Sequence, residues 1–118
     1  MNIEEVREYL LSLPGVKETL FAEDWVNFSI GGKWFAVYWF NAPEQRIAVK
    51  VDPDEAIDLR DQFNGITPAY HLNKRHWSDL YLDSDLPDEE ISRLIRGSYN
   101  LVLRKLPKVL RQNYYELP

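Results

Sequence analysis

The 118-residue sequence contains no cysteine, which excludes disulfides and zinc sites built on thiolate ligands. Long apolar runs are also missing: the longest covers residues 34–40, seven residues, whereas a membrane-spanning helix needs about 20. Four charged residues within positions 1–13 interrupt any apolar segment of the kind that signal peptides carry. We therefore expect a cytoplasmic protein that does not associate with membranes.

Positive charge is scarce as well. The chain has 14 Lys and Arg residues against 19 Asp and Glu residues, a formal net charge of −5, which repels nucleic acid and anionic lipid overall. The charge is unevenly distributed, because residues 1–90 carry a net −10 and residues 91–118 a net +5. Phosphate binding depends on a local patch, so the basic C-terminal part is compatible with a nucleic-acid partner.

The features that most enzyme classes need are absent too. There is no serine in a nucleophile-elbow context and no glycine-rich loop that would hold a phosphate. We expect no catalytic residues, no metal site and no cofactor, and we interpret the chain as non-enzymatic. With 45% hydrophobic and 28% charged residues, and with no repeat or linker, residues 1–118 are expected to form one globular domain.

Helix signals occur three times along the chain. Asn2 and Asp52 are candidate N-caps, and Pro87 opens the segment with the longest helical periodicity. These signals predict helices within residues 2–14, 52–63 and 87–107. Period-two alternation predicts strands over residues 26–30, 33–40, 46–51 and 77–82, the last at a sheet edge, with a further short strand within 66–76. The fold class is therefore α+β: an antiparallel sheet with helices on one face, in the order α-β(3-4)-α-β(2)-α.

A hairpin is predicted at Gly31-Gly32, and its register assigns residues to the two faces of the sheet. A two-residue turn pairs Phe28 with Phe35 and Val26 with Val37, and paired residues share a face. The expected core face holds Val26, Phe28, Ile30, Phe35, Val37 and Trp39. The expected outer face holds Trp25, Asn27, Ser29, Trp34, Ala36, Tyr38 and Phe40, together with Arg46, Ala48 and Lys50.

The outer face has two interpretations. Flat aromatic side chains such as Trp34 and Tyr38, beside the cations Arg46 and Lys50, are what base stacking needs. The same residues also fit ordinary packing, in which a tryptophan lies against the stem of an arginine or against a loop.

The segment from His71 to Trp77 is the most unusual in the chain, since it contains both histidines. The spacing of His71 and His76 matches no helical metal-ligand pattern. Lys74 and Arg75 suit phosphate contacts, and His71 and Asn73 suit hydrogen bonds to an anion. The alternative is a structural turn in which His71 and Trp77 are buried anchors and the two cations are solvated.

This segment also carries a family resemblance. The run Tyr70-His71-Leu72-Asn73-Lys74-Arg75-His76-Trp77, followed by Asp79-Leu80-Tyr81-Leu82-Asp83, Leu86-Pro87-Asp88 and Ser98-Tyr99, resembles the MmcQ/YjbR family of small bacterial proteins. Leu13-Pro14-Gly15 and Glu18-Thr19 fit the same pattern. The resemblance implies a fold like that of the bacterial frataxin homologue CyaY and a DNA-binding role of the double-wing type, with no catalytic residues.

These observations lead to one functional hypothesis and one alternative. The hypothesis is weak, salt-sensitive DNA binding through His71, Asn73, Lys74, Arg75, His76, Trp77, Trp34, Tyr38, Arg46 and Lys50. The alternative is an interaction module that uses the aromatic outer face to bind a protein partner or a small ligand.

Overall fold

Four helices form, and polar caps explain where two of them begin. They are α1 (Ile3–Ser12), α2 (Pro53–Gln62), α3 (Asp88–Lys105) and α4 (Lys108–Arg111). Before α1, the Asn2 side chain accepts the backbone N–H of Glu5, and the Glu5 carboxylate accepts the N–H of Asn2. Asp52 caps α2 in the same way by accepting N–H groups of its first turn. Pro107 separates α3 from the single turn of α4.

Six strands form one antiparallel sheet in the computed structural model, which describes residues 1–118. They are β1 (Lys17–Ala22), β2 (Trp25–Ile30), β3 (Lys33–Trp39), β4 (Arg46–Lys50), β5 (Ile66–Pro68) and β6 (Trp77–Tyr81), in the spatial order β1-β2-β3-β4-β6-β5. The predicted fold class is confirmed. The prediction that the 77–82 strand lies at a sheet edge is wrong, because β6 pairs with β4 on one side and β5 on the other.

A β-bulge in the β2–β3 hairpin changes the predicted face assignment. The turn pairs Ile30 with Lys33 as expected, but the register then shifts, so that Phe28 pairs with Ala36 rather than with Phe35. Beyond a bulge, every residue of the bulged strand moves to the other face. Ala36 and Tyr38 therefore lie on the helix side, and Val37 and Trp39 lie on the outer side, the reverse of the prediction.

The main core lies between the sheet and the helices. Phe28, Phe35 and Tyr99 are among its largest buried side chains, and the Tyr99 ring meets Phe35 edge-on at 5.4 Å. The C-terminal segment packs at this side as well, because the hydroxyl of Tyr114 accepts the backbone N–H of Gly31 at 2.9 Å. The outer face is consequently left to the loops of the sheet itself. No helix combines the length and apolar character that crossing a bilayer requires.

Candidate binding face

Strand register arranges the outer side of the sheet in three rows. One row holds Trp25, Trp39, Arg46 and Tyr81, and the middle row holds Asn27, Val37, Ala48, Asp79 and Thr67. The third, nearest the β2–β3 turn, holds Ser29, Trp34, Lys50 and Trp77. The two outer rows thus combine aromatic rings with a cation, whereas the middle row has no aromatic ring and includes the buried polar residues Asn27 and Asp79.

The loop from Ala69 to His76 covers the middle row. Ala69 is fully buried in a small cluster with Val37, Ala48 and Trp77, and its N–H donates to the Trp77 carbonyl at 3.1 Å. The outer side is therefore not the open stacking platform of the first interpretation. Instead, one depression remains on each side of the loop.

The loop is held in place mainly by hydrogen bonds between side chains and its backbone. Arg60 on α2 donates to the Lys74 carbonyl at 2.9 Å and to the Ser78 hydroxyl at 2.9 Å. The Lys74 ammonium donates to the carbonyls of Ala69 at 2.8 Å and Tyr70 at 3.2 Å. The Asn73 side chain accepts the N–H of Arg75 at 2.9 Å. Lys74 thus holds the loop in shape, whereas the Arg75 side chain is exposed and makes no hydrogen bond or ion pair.

The first depression, which we name the aromatic cleft, lies at the row of Trp25 and Trp39. It has a volume of about 470 Å³ and is lined also by Asp24, Arg46, Tyr70, His71 and Tyr81. The rings of Trp25 and Trp39 lie 5.0 Å apart at a steep angle, and the His71 ring lies 5.1 Å from Trp39. Several flat surfaces therefore converge on one concave site.

Arg46, which lines the aromatic cleft, forms a buried ion pair with Asp79, and this pair is incompletely hydrogen-bonded. Arg46 Nε lies 3.3 Å from Asp79 Oδ2, and the two side chains are 10% and 1% exposed. Burial raises the pKa of Asp79, although the Tyr70 N–H and Arg46 oppose the shift. Arg46 Nε, Asp79 Oδ1 and the indole nitrogen of Trp39 are all buried without a hydrogen-bond partner.

The second depression, which we name the basic groove, runs between the loop and the end of α3. It has a volume of about 380 Å³, and its polar lining residues are Lys50, Asp52, Asn73, His76 and Lys105, beside the ring of Trp77. The Lys50 ammonium lies 5.4 Å from the centre of the Trp77 ring.

Lys50 and Lys105 line the basic groove and repel each other, and Lys33 is a third positive charge nearby. Burial lowers the pKa of Lys50, and the nearby charges of Lys105 and Lys33 lower it further. None of the three lysines forms an ion pair. A bound anion would relieve this repulsion.

The ten predicted site residues are divided by the structure. Lys50, Asn73, His76 and Trp77 meet at the basic groove, whereas His71 and Arg46 meet at the aromatic cleft. Trp34 lies on the outer side, 5.1 Å from Phe21 and 5.9 Å from Trp25. Tyr38 lies on the helix side and is remote from both, which corrects the predicted face. Of the two anchors in the structural alternative, Trp77 is buried and His71 is exposed.

Several residues of these depressions were missing from the predicted set, among them Trp39 and Lys105. The sequence assigned Trp39 to the core face, and only knowledge of the bulge would have assigned it to the outer face. Lys105 is the last residue of α3, and its proximity to Lys50 is a tertiary contact that no local sequence pattern indicates.

Comparison with known proteins identifies relatives along most of the chain. The family model described as YjbR matches residues 11–101. Protein YjbR of Escherichia coli (strain K12) is 32% identical over 119 residues, which cover 99% of this chain and all of the relative. Protein YyaQ of Bacillus subtilis (strain 168) is 30% identical over 79 residues, covering 58% of this chain and 66% of the relative.

Solved structures share the fold. The crystal structure of Deinococcus radiodurans protein DR2400, with family-model domain DUF419, superposes with a TM-score of 0.86 at 33% identity. That match covers 94% of this chain and 86% of the other. A crystal structure of a Pseudomonas syringae protein superposes with a TM-score of 0.76 at 30% identity, covering 86% of this chain and 98% of the other.

Proposed function

The chain belongs to the YjbR family, and we propose that it acts by binding, not by catalysis, with the basic groove as a weak site for the phosphates of DNA. The carrying observation is that Lys50 and Lys105 line the groove together and form no ion pair, although Asp52 also lies in the lining. Lys33 is close enough for its charge to lower the pKa of Lys50 further. Lysines that repel one another at a concave surface are stabilised by a polyanion. The exposed His76 on the same groove supplies a hydrogen-bonding group.

The overall charge explains why the proposed binding is weak. A net charge of −5 opposes the approach of DNA, so affinity must come from the local cluster. With about three phosphate contacts on duplex DNA, the slope of log affinity against log salt is about −2.7. Raising salt from about 50 to about 200 mM should then weaken binding about 40-fold, and about 20-fold for a single strand.

Fluorescence anisotropy of labelled single- and double-stranded DNA tests this proposal. Lys105→Gln should weaken binding and reduce the salt slope by about 0.9 on duplex DNA, because one phosphate contact is lost. Lys17→Gln is the matched control. Lys17 lies on the edge strand β1, is exposed, forms no ion pair and does not line the groove. Equal effects of both variants would show that only net charge matters, and the groove would then not be the site.

A second candidate, binding between protein surfaces, is favoured by one edge of the sheet. β1 is exposed along its whole length and has no partner on its outer side. Leu20 and Phe21 on this strand are 62% and 57% exposed, and Phe21 lies 5.4 Å from Trp25. We propose that this edge pairs with a second copy of the chain if DNA is not the partner. Sedimentation should then show a salt-insensitive dimer that Phe21→Lys dissociates, and a monomer at all concentrations would refute it.

The family resemblance also implies more specific properties of fold, binding mode and location, and these are proposals too. We propose a relationship to the CyaY fold, a double-wing mode of DNA binding and a cytoplasmic location. What supports the first two is the antiparallel sheet backed by helices and the 69–76 loop beside the basic groove.

A further inference from the structure

We propose that Arg104 is a further phosphate-binding residue at an extension of the basic groove, and that Glu116 of the C-terminal segment occupies it in the free protein. The carboxylate then competes with DNA for the guanidinium and limits the affinity. This inference rests on the proposed function, because it concerns how far the same groove extends and how it is regulated.

The basic groove continues along α3. A further depression of about 260 Å³ lies between the start of α2 and α3, and Arg104 is in its lining. The two depressions share four lining residues: Lys50, Val51, Asp52 and Leu101. Gly97 also lines the extension, and a Cβ added there would meet nothing beyond its own helix within 4 Å. A phosphodiester chain bound at Lys50 can therefore continue towards Arg104.

Arg104 is the more available of the two arginines in this extension. Arg93 is held by two carboxylates, those of Glu55 and Glu90. Arg104 is paired with Glu116 alone, and its Nε donates to that carboxylate at 2.7 Å. The side chains of Arg104 and Glu116 are 58% and 55% exposed. Since exposed ion pairs contribute little stability, a phosphate, which accepts a guanidinium at two oxygens, can replace the carboxylate.

Asn100 fixes the segment that carries Glu116. Its side-chain amide donates to the Leu117 carbonyl at 3.0 Å and accepts the Leu117 N–H at 2.9 Å. Leu117 also packs against the main core, and Asn100 itself lines the extension. The neighbouring Glu116 carboxylate is thereby placed beside a groove whose lysines, Lys50 and Lys105, have no ion pair of their own.

Fluorescence anisotropy of labelled duplex DNA with Glu116→Gln tests the inference. The variant frees Arg104 at nearly constant side-chain size, and should bind DNA about two- to fivefold more tightly, with a salt slope steeper by about 0.9. Glu4→Gln is the matched control, because Glu4 is exposed on α1, forms no ion pair and changes the net charge equally. The double variant of Glu116→Gln and Arg104→Gln should bind no more tightly than Arg104→Gln alone, since the gain depends on Arg104.

The outcomes separate this inference from the proposed function. Equal effects of Glu116→Gln and Glu4→Gln would show that Glu116 does not compete for Arg104, while weaker binding by Lys105→Gln would still support the groove. A gain that persists in the double variant would also overturn the inference, because it would not pass through Arg104. If neither the unmodified protein nor Glu116→Gln binds DNA at about 25 mM salt, the proposed function fails and this inference fails with it.

Discussion

Replacing Lys74 tests whether the loop that separates the two depressions is held by its own lysine. The ammonium donates to the carbonyls of Ala69 and Tyr70, at 2.8 and 3.2 Å. Lys74→Met retains most of the aliphatic stem and removes both hydrogen bonds. The matched control is Arg75→Met, because the neighbouring Arg75 side chain is exposed and makes no hydrogen bond or ion pair.

The size of the effect follows from which carbonyl loses its partner. Ala69 is fully buried, so its carbonyl cannot turn to water, whereas the exposed Tyr70 carbonyl can be solvated again. A lost hydrogen bond to a charged group costs about 1.5–3 kcal/mol when both partners are buried. Because Lys74 is exposed and only its bond to Ala69 is partly buried, we expect a smaller loss, about 1 kcal/mol and at most about 2, in the free energy of unfolding. For a domain of this size, that lowers the Tm by about 4–8 °C.

Thermal and urea unfolding followed by far-ultraviolet circular dichroism measures this difference. Arg75→Met should stay within about 0.5 kcal/mol of the unmodified protein, as exposed substitutions usually do. If Lys74→Met is as stable as Arg75→Met, the lysine does not hold the loop. The argument that the loop shapes both depressions would then lose its main support.

Two further predictions concern buried ionisable groups. Tyr99→Phe should lower the free energy of unfolding by about 1–2 kcal/mol at neutral pH, because the Tyr99 hydroxyl donates to the Pro14 carbonyl at 2.6 Å. Burial raises the pKa of Tyr99 to about 12, so the stability that the protonated phenol contributes is lost as pH rises from about 10 through 12, and the gap between the two proteins should narrow there. Urea midpoints across that range check this, and a constant gap would contradict it. Burial also raises the pKa of Asp79 above its ordinary 3.8, so its contribution is present at acid pH and is lost as pH rises through the raised value. Asp79→Asn should therefore gain stability relative to the unmodified protein from pH 4 towards neutrality, and a pH-independent difference would refute the shift.

Local signals predicted the elements of this fold well. The side chains of Asn2 and Asp52 cap two helices by accepting backbone N–H groups, and Pro87 and Pro107 precede the other two helices, where their fixed φ and missing N–H are tolerated. Such contacts depend on a few adjacent positions and are therefore readable from sequence. The strand β1 lacked a clear alternation of buried and exposed residues, because it is exposed throughout, and it was not identified individually.

The candidate site was predicted less completely, since it depends on tertiary contacts. The bulge between Phe28 and Ser29 reversed the sides of Tyr38 and Trp39, and no turn signal announces it. The role of Lys74 depends on carbonyls that become available only when the loop folds over Ala48. Lys50 at the end of β4 and Lys105 at the end of α3 line the same groove although they are 55 positions apart in the sequence.

Titration of the ¹⁵N-labelled protein with short DNA, at about 25 mM and then about 150 mM salt, tests the central claim most directly. The account predicts amide shifts concentrated at Lys50, His76, Trp77 and Lys105 that fade as salt rises. A titration that is flat at the lower salt, or shifts confined to the β1 edge, would contradict DNA binding through the basic groove.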